Sequence, residues 1–93
     1  MTHDTFIDEP VKVWAFFDPT LSAGRSGSSH ISPIAMQWQR RLIKFEKLIF
    51  ASSLKVGDKK LVRLVCASES ANFELEYNSE NYLWRLKKVM PKE

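Results

Sequence analysis

The sequence predicts a mainly β protein, a small antiparallel sheet or partly closed barrel of five to six strands. Three observations predict it. FELEY, residues 73–77, alternates strictly, with Phe73, Leu75 and Tyr77 on one face and Glu74 and Glu76 on the other, as a half-buried strand requires. YLWRLKKV, residues 82–89, repeats that alternation, setting Tyr82, Trp84 and Leu86 against Arg85 and Lys87. VKVWAFF and LVRLVCA have the β-branched and aromatic composition of strands. A chain of 93 residues with 44% hydrophobic content can close one modest core, so a single β domain over residues 11–90 is expected after an acidic leader at 1–10.

VKVWAFF, residues 11–17, follows Pro10, which favours an extended approach. Val11, Val13, Ala15 and Phe17 form one face, and Lys12, Trp14 and Phe16 the other. With the first set inward, Trp14 and Phe16 stay partly exposed and leave an apolar patch on a candidate edge strand. Residues 18–33 hold Pro19, Pro33, two glycines and six hydroxyl side chains with neither a period of 2 nor of 3.6, and read as a long surface loop.

IAMQWQRRLIKFEKLIF, from residue 34, supports two readings. As a helix, Ile34, Trp38, Leu42, Phe45 and Ile49 form an apolar stripe. As a hairpin, Ile34, Met36 and Trp38 alternate with Ala35, Gln37 and Gln39, QRR turns, and Ile43 with Phe45 resumes the period of 2. A turn through Arg40 lacks the glycine or asparagine that short hairpins favour, yet strands agree better with the β pattern elsewhere. Farther on, Gly57 and Asp58 mark a turn, residues 61–67 a strand, and ESAN and NSEN the turns of a three-strand meander through FELEY.

Taken together, FIDEPVKV, PIAMQWQRRLIKFEKLI, LVRLV and FELEYNSENYLWRLKKV resemble a family of small, uncharacterised bacterial β-rich proteins, a domain of unknown function. Its pattern is a Glu-Pro N-terminal strand, a central Trp strand and a C-terminal Trp-x-Leu strand. The pattern falls here on Glu9, Pro10, Trp38, Ile43, Phe45, Phe73, Leu75, Tyr77, Trp84 and Leu86, and covers most of the chain from Phe6 to Val89. Relatives carry a glycine in the turn where this chain has Arg40, and an aromatic residue near Ile43. The resemblance implies the hairpin reading of residues 34–50 and no activity.

Charge is uneven along the chain. Residues 1–32 carry a net −2, residues 33–60 a net +5, and residues 61–93 a net of zero. A basic middle third fits nucleic acid or an acidic protein as partner. The apolar runs reach at most five residues, and MTHDTFIDEP lacks the marks of a signal peptide, so a soluble cytoplasmic protein with no membrane partner is expected, as a monomer or weak homodimer. Cys66 is the only cysteine and reads as a buried strand residue.

Nothing in the pattern calls for catalysis, a metal or a cofactor. His3, His30 and Cys66 have no zinc spacing, and GRSGSSH matches neither a nucleophile elbow nor a phosphate-binding glycine loop. Glu74 and Glu76 are explained as the wet face of a strand. Binding is therefore the expected role, led by accessory nucleic-acid binding through a basic hairpin. Arg40, Arg41, Lys44, Lys59 and Lys60 are the candidate anion contacts, and Trp38 and Trp84 the candidate stacking residues, with Trp14, Phe16 and Tyr82 as further aromatic side chains. The alternative is a protein-interaction or small structural module that uses an exposed sheet edge.

Overall fold

Two strands of this protein are too long to serve one neighbour each, and they shape the fold. The computed structural model describes residues 4–17 and 31–92. It contains β1 (Thr5–Phe17), β2 (Ile31–Trp38), β3 (Arg41–Val56), β4 (Lys59–Ser68), β5 (Ala71–Asn78) and β6 (Leu83–Pro91). Every pairing is antiparallel, and β6 pairs back onto β1, so the six strands form a closed hydrogen-bonded ring. Residues 34–50 are thus a hairpin and not a helix.

β1 pairs with β6 over residues 5–11 and with β2 over residues 12–17. β3 likewise pairs with β2 over residues 41–44 and with β4 over residues 45–56. These exchanges fold the ring into a three-stranded sheet of β1, β2 and β3 facing a five-stranded sheet of β3, β4, β5, β6 and β1. Extra residues interrupt the ladders and bend the strands. Glu46 and Ile49 are unmatched in β3, Lys87 in β6 and Ile34 in β2.

The expected boundaries change in three places. β1 begins at Thr5, so residues 5–10 of the acidic leader are strand, and Pro10 sits in register with Arg85 beside the exchange of partners. β2 begins at Ile31, which moves the last three residues of the expected loop at 18–33 into the sheet. Residues 18–30, with Arg25 and His30, and also His3, lie outside the described residues. Tyr82 does not open β6; it sits in the turn before it with φ 61° and is 74% exposed.

Met36, Leu64, Leu75 and Leu86 are fully buried between the two sheets, with Cys66 beside them. Burial pushes the Cys66 thiol up to about 12, and it stays an inert packing group. Aromatic rings fill the two ends of the core: Trp38 and Phe45 pack on Phe73, and Trp84 packs on Tyr77 at 4.7 Å. Val11, Val13 and Ala15 pack inward against this cluster, as the alternation of VKVWAFF requires. Ile34 departs from its alternation with Met36 and Trp38. The bulge opposite Trp14 and Ala15 makes it the extra residue and turns it outward, 41% exposed.

The two short hairpin turns solve one problem with different residues. Between β3 and β4, Gly57 takes φ 61° at the first loop position, and a side chain there would meet nothing within 4 Å. Between β2 and β3, Gln39 (φ 52°) and Arg40 (φ 63°) both take positive φ, the type I′ geometry that favours Asn-Gly. Each costs roughly 1–2 kcal/mol against an ordinary conformation. Arg40→Gly is therefore expected to stabilise the protein by roughly 0.5–1 kcal/mol, after allowing for the added entropy of an unfolded glycine, and to raise the melting temperature by a few degrees. Leu75→Ala, in the centre of the core, is expected to cost about 2–5 kcal/mol in denaturant unfolding.

Candidate functional site

Trp84 offers no ring to a ligand. It is only 8% exposed, and Tyr77 covers it. Trp38 is half-buried, packs edge-on against Phe73, and donates its indole N–H to Glu9 Oε1 at 3.2 Å. Both expected stacking residues are therefore core groups, because a domain this small needs its large inward-facing rings for packing.

The expected cationic group also divides. Arg40, Arg41 and Lys44 lie at the β2–β3 turn, while Lys59 and Lys60 lie at the β3–β4 turn. Successive turns of an antiparallel meander fall at opposite ends of the shared strand, so the length of β3 separates the two groups. Neighbours in sequence are here remote in space. At the far tip Lys55 faces Lys60 in register, with Lys59 next to it.

On β4 and β6 the cations Arg63, Arg85, Lys87 and Lys88 are matched by carboxylates, while Lys47 of β3 has no ion-pair partner among the described residues. Arg63 reaches Glu76 at 3.3 Å and Glu74 at 3.7 Å, which accounts for the two outward glutamates of FELEY. Asp8 accepts from Arg85 Nε at 2.6 Å and from Lys87 Nζ at 3.2 Å, and Asp4 lies 3.7 Å from Lys88. The Arg85 and Lys87 hydrogen bonds hold the Asp8 carboxyl below its usual range. The β4, β5 and β6 part of this sheet is charged but internally paired.

The outer face of the three-stranded sheet differs in kind. Its segments, residues 12–17, 31–38 and 41–44, contain Lys12, Arg41 and Lys44 and no acidic residue. Lys12 lies opposite Gln37, and Gln37 opposite Leu42; Trp14 lies opposite Ala35, and Ala35 opposite Lys44. Trp14 is 47% and Phe16 65% exposed, two residues apart on one strand. Trp14, Ile34, Ala35, Gln37 and Leu42 line an open apolar concavity of about 530 Å³. Arg40 borders the same face beside Pro10, Val11, Lys12 and Gln37. Lys12, Arg40, Arg41 and Lys44 have no ion-pair partner among the described residues.

The exposed aromatic pair was legible in the alternation of VKVWAFF. Lys12 was missed because it lies in the acidic third of the chain, and only strand pairing brings it to the basic hairpin. Among the described residues, no group of three or more His, Cys, Asp or Glu side chains is placed to hold a metal ion, and no helix is long and apolar enough to cross a membrane. Compared with family models, curated proteins and solved structures, the chain matches none.

The Asp8 network sets a pH dependence. A carboxyl whose pKa is lower in the folded state contributes stability above its unfolded value, near the ordinary 3.8, and loses it as pH falls through the folded value. Asp8→Asn is expected to melt below the unmodified protein at pH 7, and the two melting curves should converge as the pH is taken well below 3.8.

Proposed function

We propose that this protein binds single-stranded nucleic acid on the outer face of its three-stranded sheet. Bases stack on Trp14 and Phe16, and Lys12, Arg40 and Lys44 meet the phosphates. The observation that carries this reading is the exposed aromatic pair on a face whose only charges are positive. Sheet proteins that hold single strands combine these two ingredients, because every base has a face to stack and every nucleotide a phosphate to neutralise. A duplex hides its base faces and is expected to bind less well. The likeness to the small β-rich bacterial family adds no activity to this reading.

An acidic or apolar protein segment is the second reading, favoured by Ile34 and Leu42 in the concavity beside Trp14. A peptide strand would also find unpaired backbone, since β1 from residue 12 to 17 pairs on one side only among the described residues.

Titration of labelled oligothymidylate and of a matched duplex, followed by Trp fluorescence at several salt concentrations, separates these readings. Contact with about three phosphates on a single strand gives a log–log salt slope near −2, which is roughly a twentyfold loss of affinity between about 50 and 200 mM salt. Trp14→Ala is expected to cost about 1–3 kcal/mol of binding, and Trp14→Phe to retain binding while losing the quenching signal. No association of the unmodified protein with either oligonucleotide, even at low salt, would sink the nucleic-acid reading.

A further inference from the structure

The β2–β3 turn keeps two side chains in a backbone conformation suited to Asn-Gly, while the β3–β4 turn places glycine at its positive-φ position. At Gly57 a side chain would meet open space, so the chain uses glycine there for backbone geometry alone. At Arg40 the same economy is absent. Conformational strain of this kind clusters at ligand-binding and switch regions.

The surroundings of Arg40 suit ligand binding. Its neighbours along the shallow concavity are Pro10, Val11, Lys12 and Gln37, none of them acidic. Lys12 and Gln37 face each other in register across β1 and β2, so one ammonium and one amide are held side by side, Gln37 on the strand that leads into the turn and Lys12 on the strand beside it. The nearest carboxylate along β1, Glu9, is three residues from Lys12 and thus on the opposite face, where it accepts from Trp38. Trp14 lies two residues from Lys12 on the same face, about 7 Å along the strand.

We infer that Arg40, Lys12 and Gln37 form a phosphodiester subsite, and that the strained turn is retained because it presents the Arg40 guanidinium there. Arg40 takes two phosphate oxygens through its planar fork, Lys12 supplies a second positive charge, and the Gln37 amide donates a hydrogen bond. The inference rests on the nucleic-acid reading for its ligand. It adds the position of one phosphate beside the base stacked on Trp14, and a conflict between stability and binding at a single residue.

That conflict is the test. Thermal melting, oligothymidylate affinity and the salt slope are measured for the unmodified protein, Arg40→Gly and Arg40→Lys. Arg40→Gly is expected to melt a few degrees higher, to bind about 5- to 20-fold more weakly, and to lose about one unit of salt slope. Arg40→Lys keeps the strain and the charge but not the fork, and is expected to fall between the two. An Arg40→Gly protein that melts higher and binds as tightly as the unmodified one overturns the subsite. One that melts no higher overturns the strained-turn argument.

If the unmodified protein binds no oligonucleotide at low salt, the nucleic-acid reading fails on its own. The subsite is then judged with inorganic pyrophosphate by amide chemical shifts. Saturable shifts at Lys12, Gln37 and Arg40 that disappear in Arg40→Gly support it, and their absence overturns it.

Discussion

β1 and β3 each change hydrogen-bonding partner partway along their length, and the rest of the structure depends on that exchange. A chain of this size cannot build two separate sheets and cover both, so the same two strands serve in each. One half of β1 closes the ring against β6, and the other half carries β2. The bulges at Ile34, Glu46, Ile49 and Lys87 absorb the bending, and the inward side chains of both sheets meet around Met36, Leu64, Leu75 and Leu86.

This arrangement gives the two outer faces different electrostatics. On the five-stranded sheet, acidic residues of β1 and β5 lie beside basic residues of β4 and β6, so opposite charges meet. Exposed pairs of this kind add little stability, but they offset the charges of Arg63, Arg85, Lys87 and Lys88. The three-stranded sheet is made from segments with no carboxylate, and its cations remain unmatched among the described residues. It also leaves Trp14 and Phe16 outside the core, although fully burying a large apolar side chain stabilises a protein by about 1.5–3 kcal/mol. Phe6, Phe17, Phe50 and Tyr82 are exposed elsewhere, so it is the conjunction of exposed rings with cations and no carboxylate on one face that leads us to propose a binding role for it.

Most of the strands could be read from alternation, because a period of 2 is a direct consequence of pleating. FELEY, VKVWAFF and the Trp84–Leu86 stretch present the faces their patterns require. Alternation failed where the ladder gains a residue. Ile34 belongs by pattern with Met36 and Trp38, but a bulge set by its pairing with β1 turns it outward. The leader failed for a related reason. Thr5, Phe6 and Ile7 favour strand but Asp8, Glu9 and Pro10 do not, and the whole segment is strand because it pairs with β6. The site was legible only in fragments. Arg40, Arg41 and Lys44 stand out by charge and Trp14 and Phe16 by alternation, but no sequence distance relates Lys12 to Arg40.

By itself the sequence determined the β class, the inward face of each regular strand, the turn at Gly57 and the charge bias of the middle third, since each follows from local periodicity, turn chemistry or composition. Tertiary structure alone decided which aromatic rings are free and which cations are neighbours. Trp38 and Trp84 are taken into the core because the ring closes over them, whereas Trp14 faces out from a strand whose other side fills that core. Lys59 and Lys60 are carried away from Arg40 because an antiparallel strand must end at the opposite side of its sheet, and Lys12 is brought to Arg40 because β1 changes partner one residue before it.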